Sequence, residues 1–488
     1  MVDRTWPRQL DDVAQALLAR GDRVRSSLDD LVRISSVSAA GHDPAPVRRS
    51  AETTATLLER SGLAAVELIE VHGAHPYVYG EWLGAGGESP SVLLYAHHDV
   101  QPVSTPERWT SPPFEPTVRD GRLYGRGAAD DKAGILVHAA AAEAWLEARG
   151  LLPVNVKVLI EGEEEIGSPH LAEFLEAHAE RLRADVIVVT DVVNWKVGVP
   201  ALTYSLRGLA EVYVTVSALE QPLHSGMWGG PVPDALTGLL KALASLTDER
   251  GLAAVPTLFD DVRAPSAQER AHLEALEADS ELLRAETGML EGVEWIGDPS
   301  FSLLERMWMQ PTVSIIGLDV PSVRDASNQL IARARAKVSI RLAPGQDPHR
   351  VVQVVSDHLR AHVPWGLHVG TEPGVATAAW VTEPSGPAFD AAQQALRAAF
   401  GTDPVHLGCG GTIPFVAPLS EAFGGVPCLL TGIEDPATNA HGEDESLHLG
   451  DFARACLAEA FLFHELAQRS RHLRRDELLP PCDERGCM

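Results

Sequence analysis

The chain has 488 residues, 45% of them apolar and 22% charged, which is soluble globular usage and too long for one typical domain. Its 68 acidic residues against 40 basic ones give a formal net charge of −28, arguing against nucleic acid or an anionic membrane surface as partner. No stretch approaches the roughly 20 apolar residues that a membrane-spanning helix needs.

The opening segment MVDRTWPRQLDDVAQALLARG reads as an amphipathic helix carrying Asp11 and Asp12, not as an apolar signal core, so a cytoplasmic protein is expected. The apolar runs SVLLYA (91–96), VNVKVLI (154–160) and ADVIVVT (184–190) predict buried strands, and GILVHAAAAEAWLEARG predicts a helix between the first two. That alternation predicts an α/β domain with a mainly parallel sheet. From about residue 207 the pattern changes. AEVYVTVSA reads as a half-exposed strand and PDALTGLLKALASL as a helix, followed by a polar insertion rich in Glu and Arg over roughly 252–308. Two strands (TVSIIGLDV and ARAKVSIRLAP) and the helix DPHRVVQVVSDHLRAHV complete a two-layer α+β unit. AFDAAQQALRAAFG, GVPCLLTGI and FARACLAEAFLFHELAQR then return to helix, buried strand and helix. The expected organisation is a discontinuous α/β domain over 1–206 and 382–470, an inserted α+β domain over 207–381, and a polar tail over 471–488. The five cysteines are odd in number and scattered, which fits a reducing compartment; Cys482 and Cys487, in the tail, read as free thiols.

In open α/β sheets, ligands gather at the carboxyl ends of strands. Three predicted strands end in charge: SVLLYA runs into His97-His98-Asp99, VNVKVLI into the glutamates of EGEEEIGS (161–168), and VIVVT into Asp191. One polar residue after a strand is ordinary loop chemistry, whereas three such ends, all of metal-ligand type, call for a common cause. The glycine-rich turn YGRGAADDKAG adds Asp130 and Asp131 but lacks the Walker and Rossmann spacings, and its acidic surroundings disfavour phosphate. TNAHGEDESLH adds His441 before the last helix.

These pieces occur in a telling order: AHHDVQP, YGRGAADDKAG, EGEEEIGS, VTD (189–191), PLHSG (222–226), SIRLAPG (339–345), GGTIP (410–414) and NAHGEDESL. Together they resemble the dinuclear zinc metallopeptidases that include carnosinases, cytosolic non-specific dipeptidases, aminoacylases and carboxypeptidase G, and most resemble the dipeptidase/carnosinase branch. The resemblance implies a zinc-peptidase catalytic domain with an inserted lid and dimerisation domain. It implies two divalent ions per subunit, zinc first and manganese as the variant. His97 and Asp191 would hold one ion, Glu165 and His441 the other, and Asp130 would bridge them. Asp99 would support His97, and Glu164 would act as general base, with Glu161 and Glu163 accessory or solvated. His224 would stabilise the oxyanion in a neighbouring subunit's site, implying a homodimer through the lid. Asn328, Arg341, Gly411 and Thr412 would contact the substrate. The chemistry agrees: imidazole and carboxylate suit such ions, and four positive charges nearly balance the carboxylates of Asp99, Asp130, Glu164, Glu165 and Asp191.

Departures bear on the substrate. Where relatives often read REGGSIP this chain reads GCGGTIP, so Gly408 and Cys409 replace an Arg and a Glu. Ala96 replaces a glycine, Ala133 interrupts DDKG, and a proline after Asn328 is absent. The expected activity is metal-dependent hydrolysis of dipeptides. The alternative within the same chemistry is an N-acyl amino-acid deacylase or a carboxypeptidase-like amidohydrolase. A catalytically silent binding protein would have lost a ligand or the base, and all are present.

Overall fold

The computed structural model describes residues 6–276 and 278–473, so Cys482 and Cys487 lie outside the described residues. The chain divides into two compact units. One comprises residues up to Tyr204, Glu383–Leu407 and those from Ile413; the other comprises Ser205–Thr382 and Gly408–Thr412. In chain order the main strands are β1 (Ala64–Ile69), β2 (Tyr77–Trp82), β3 (Ser91–His97), β4 (Asn155–Glu161), β5 (Val186–Val193), β6 (Ala201–Leu206), β7 (Gly208–Ser217), β8 (Thr312–Asp319), β9 (Arg333–Leu342), β10 (His368–Thr377) and β11 (Cys428–Glu434).

The first unit is built on a sheet of order β1-β2-β4-β3-β5-β11-β6. Its four central strands are mutually parallel: β4 with β3, β3 with β5, and β5 with β11. The outer pairings, β2 with β4, β1 with β2 and β6 with β11, are antiparallel. The central strands are apolar without alternation because both sheet faces are covered; Val92, Leu93, Leu94 and Tyr95 are all buried. Parallel direction places the carboxyl ends together, so His97, Glu161, Asp191 and Glu434 lie along one edge, with His97 and Glu161 in register.

Helix α1 (Lys132–Arg149) is buried on nearly all sides and ends at Gly150, whose φ of 72° is the left-handed cap that glycine adopts without penalty. Its first residue, Lys132, donates from Nζ to the carbonyls of Leu31 (2.9 Å) and Ile34 (2.7 Å), satisfying acceptors left over where the helix Gly21–Val32 ends. Farther along α1, buried His138 bonds Glu459 (2.8 Å) and the Tyr95 carbonyl (3.0 Å), tying the helix to β3 and to α2 (Leu449–Gln468).

The second unit has an antiparallel sheet of order β8-β9-β7-β10. Here the strands do alternate. Ala210, Val212, Val214 and Val216 of β7, with Ala334, Ala336, Val338 and Ile340 of β9, form one core with the helices Ala235–Ala244 and Pro348–His362. Asp234 and Asp347 cap these helices by accepting from Thr237 N and His349 N. Strand β10 is absent from the sequence expectation because HVGTEPGVAT is rich in Gly and Pro. It survives as an edge strand, where Pro373 needs no partner on its outer side, with a break in register between Pro373 and Ala376. The 252–308 insertion contains short helices, two of which (Ala267–Ala275 and Leu303–Trp308) start with capping boxes at Ser266 and Ser302.

One segment departs from the expected boundaries. Gly408–Thr412 lies within 382–470 yet groups with the second unit. The cause is local bonding: Arg207 N donates to Cys409 O (3.1 Å), and Arg341 donates to Thr412 Oγ1 (3.1 Å). No described helix is long and apolar enough to cross a membrane.

Candidate active site

At the carboxyl edge of the first unit's sheet, two triplets of side chains bring their donor atoms within 4.8 Å of one another: His97, Asp130 and Asp191, and Asp130, Glu165 and His441. Asp130 belongs to both. Its Oδ1 lies 3.0 Å from His97 Nε2 and its Oδ2 lies 3.0 Å from His441 Nε2, so each oxygen faces one histidine. Asp191 Oδ1 stands 3.8 Å from His97 Nε2, and Glu165 Oε2 stands 3.1 Å from His441 Nε2. These are the five residues that the resemblance nominates as ligands.

The histidine tautomer follows from its other nitrogen. His97 Nδ1 lies 3.2 Å from the Asp99 carbonyl, which can only accept, so Nδ1 carries a hydrogen and Nε2 is the nitrogen turned toward Asp130 and Asp191. That Nε2 is fully buried and makes no hydrogen bond among the described residues. A buried imidazole nitrogen aimed into a ring of carboxylates suits a cation, here a proton or a metal ion.

Charge points the same way. Glu164 and Asp131 are pushed well above the usual carboxylate range by burial and by neighbouring carboxylates, and Glu165 and Asp191 are pushed up by the same causes. Glu434, at the end of β11, joins them through burial and the charges of Asp130 and Asp191. Burial opposes a charge on His441, yet Asp130 and Glu165 outweigh it and lift the imidazole to about 11. The cluster thus holds more negative charge than its own side chains neutralise, and divalent cations with N/O preferences fit it.

A layer of partners holds these groups. Asp99 is buried; its Oδ2 accepts from Ser38 Oγ (2.6 Å) and from Glu165 N (3.1 Å), and its Oδ1 lies 3.4 Å from His97 Nδ1. Gln101 donates from its backbone to Glu165 Oε1 (3.0 Å) and from its amide to Oε2 (2.8 Å). Most extensive is the pair Arg126 and Glu445, both buried. Glu445 accepts from Arg126 (2.7 Å), Gly127 N (3.0 Å), Ala129 N (3.1 Å) and Asp130 N (3.3 Å). Arg126 in turn donates to the carbonyls of His441 (3.0 Å) and Gly442 (3.1 Å). One ion pair therefore clamps the loop bearing Asp130 to the loop bearing His441. Sequence reasoning passed over Arg126 and Glu445, although both sit inside quoted motifs; the signal was a charged residue within a glycine-rich turn.

The glutamate run EGEEEIGS needs one correction. Glu161 and Glu163 are not solvated: their exposures are 0% and 1%. Glu161 accepts from Tyr95 OH (2.7 Å), and Glu163 accepts from His75 N (2.9 Å) and bonds His170 Nδ1 (2.9 Å). Glu164 and Glu165 keep partial exposure on the turn that follows.

Within the second unit, the nominated residues form two groups. His224 and Asn328 meet in a two-strand ribbon, Leu223–His224 against Gln329–Leu330, where Ser225 N donates to Asn328 O (2.9 Å). His224 is exposed and accepts from Gly226 N at Nδ1 (3.1 Å). Arg341 and Thr412 are hydrogen-bonded (3.1 Å), and Gly411 N lies 3.2 Å from Cys409 Sγ.

A largely parallel sheet carrying histidines and carboxylates at its carboxyl edge fits a hydrolase of the metallopeptidase class. Residues 93–462 match the model of Peptidase family M20/M25/M40, and the chain belongs to that family. It is 35% identical over 376 residues to the cysteinylglycine-S-conjugate dipeptidase of Corynebacterium striatum, covering 77% of this chain and 80% of that one. It is 30% identical over 406 residues to the human Beta-Ala-His dipeptidase, covering 80% and 78%. Among solved structures it is similar to the dipeptidase Dug1p of Saccharomyces cerevisiae, with TM-score 0.86, 25% identity, and 94% and 98% of the two chains covered. Human carnosine dipeptidase 1 gives TM-score 0.85 and 28% identity over 95% and 100%.

Proposed function

We propose that this protein is a metal-dependent dipeptidase in which Glu164 is the general base. The observation that carries the reading is the pair of ligand triplets sharing Asp130; the dipeptidases among its relatives supply the substrate class. His97 and Asp191 would hold one divalent ion, Glu165 and His441 the other, with Asp130 between them; zinc suits the donor set, and manganese is the variant. Two such ions polarise a carbonyl and make a water acidic near neutral pH.

The chain's own residues then have defined tasks. Glu164 takes the proton of the attacking water as the C–O bond forms, and returns it to the leaving amine as the C–N bond breaks. With divalent ions offsetting the charges of Asp191, Glu165 and Asp130, burial is the main remaining influence on its proton affinity, which suits a group that must take and then hold a proton. Asp99 keeps His97 in the required tautomer. His224 is assigned to the oxyanion of a partner subunit's site, and Arg341, Thr412, Gly411 and Asn328 to the substrate. The inserted unit is accordingly a lid and dimerisation domain, and the enzyme a cytoplasmic homodimer.

The test is Glu164→Gln. We expect about two ions per chain by elemental analysis and a turnover at least about 10³-fold below wild type. Near-normal hydrolysis by this variant would remove Glu164 from the mechanism. A panel of free dipeptides against N-acetyl and N-succinyl amino acids decides between dipeptidase and deacylase.

A further inference from the structure

Most charged side chains described above form an ion pair; two arginines of the second unit do not. Arg207 is half-buried. Its guanidinium donates to Gly410 O (3.2 Å), to Thr312 Oγ1 (3.3 Å) and, at 3.5 Å, to Gln310 O, all neutral acceptors. Arg341, also half-buried, donates to Thr412 Oγ1, and Thr412 in turn donates to the Arg207 carbonyl (2.6 Å). Thr312 and Arg341 are cross-strand partners in β8 and β9, so the Arg207 guanidinium bonds a residue paired with Arg341 while Thr412 links the Arg341 guanidinium to the Arg207 carbonyl. Among the described residues neither arginine has a carboxylate within ion-pair distance, whereas Arg126 and Arg263 in this strongly acidic chain each lie against one. The group that faces both is the Cys409 thiol, and Arg207 is pulled down to about 10 by burial and by the charge of Arg341. A Cβ on Gly410 would stand 3.1 Å from Arg207 Nη2, so the glycine lets the backbone approach the guanidinium.

Two like charges held half-buried beside each other repel and lose hydration; the more distant Glu211 offsets part of the charge on Arg341, no carboxylate among the described residues offsets Arg207, and an arriving anion would relieve both. A substrate's single α-carboxylate compensates one guanidinium and leaves the other facing a thiol. We propose that Arg207 and Arg341 form a two-guanidinium subsite that takes a C-terminal residue with two carboxylates, aspartate or glutamate. The subsite deepens the dipeptidase reading and rests on it; Arg207 is the specificity-determining member, and Cys409 leaves its charge uncompensated.

The experiment has two arms, both on the full chain. In the first, kcat/KM is measured for Ala-Glu and the near-isosteric Ala-Gln. Wild type should favour Ala-Glu by about tenfold or more, the range of a charge-assisted hydrogen bond. That ratio should collapse toward unity in Arg207→Gln and in Cys409→Glu, which places a carboxylate beside Arg207. In the second, glutarate binding to metal-stripped protein is followed by calorimetry, and both variants should bind about tenfold more weakly than wild type. Equal kcat/KM for the two dipeptides in wild type, or unchanged glutarate binding in both variants, would overturn the subsite. If no dipeptide is cleaved while glutarate binding still depends on Arg207 and Cys409, the dipeptidase reading falls and the anion site stands.

Discussion

In the first unit, the candidate ligands come from strand ends and loops, and other residues fix them. Gln101 holds Glu165, Glu445 holds the backbone of Asp130, and Arg126 holds the carbonyl of His441. In the second unit, His224 stands exposed on a two-residue ribbon, and Arg341 leans on one hydroxyl. Groups that must surround an ion need their geometry set beforehand; groups that close on a substrate can be left looser. The contrast predicts that substitutions in the first unit damage stability, ion retention and turnover together, while those in the second separate turnover from stability.

The largest effect should come from His441→Ala. It removes a ligand of one triplet only, so bound metal should fall from about two ions to about one per chain, with turnover down by more than about 10³. Full metal content in this variant would contradict the triplet assignment. Glu445→Ala should cost about 3–5 kcal/mol in urea unfolding, because buried Arg126 is left without its partner and three backbone N–H groups lose their acceptor. A loss below about 1 kcal/mol would show that the clamp is not a structural element.

Glu161 gives a pH signature. Burial raises its folded-state value to about 7, against the ordinary glutamate value near 4.3 in the unfolded chain. Between those values the folded protein binds the extra proton, so stability should fall as pH rises from about 4 to 7 and then level off for this group. Metal-stripped wild type should lose on the order of 3 kcal/mol across that window relative to Glu161→Gln. Identical pH slopes in the two proteins would refute the assignment. The smallest stability effect belongs to His224→Ala, within about 0.5 kcal/mol of wild type because the side chain is exposed. Its turnover should nevertheless drop about 10²–10³-fold. Loss of folding in this variant would erase the contrast between the units.

How much of this was legible in the sequence differs by scale. The parallel strands were readable because strands covered on both faces become continuous apolar runs, and parallel direction forces their charged ends onto one edge. His97, Asp191 and the glutamate run were therefore identifiable as a group. Partner choice at long range was not readable. Nothing local to EGEEEIGS says that Glu161 will bury against Tyr95, or that Glu163 will meet His170. Arg126 and Glu445 are separated by 319 positions, and only the fold brings them together. Strand β10 escaped because Gly and Pro mask an edge strand whose pairing depends on tertiary context. Gly408–Thr412 changed units because hydrogen bonds to Arg207 and Arg341, not composition, decide where it belongs.

The clamp between Arg126 and Glu445 also has a consequence for biosynthesis. Chains emerge from the ribosome amino end first, at about 5–20 residues per second. The loop that carries Asp130 is made early, but the carboxylate that fixes its backbone and the histidine that completes the second triplet are among the last parts of the described chain to appear. The whole of Ser205–Thr382 must be synthesised in between. A nascent chain thus holds His97, Asp130, Glu165 and Asp191 without His441 for as long as the second unit takes to be made. The second triplet can be completed only after the whole of Ser205–Thr382 has been made and His441 and Glu445 have followed it.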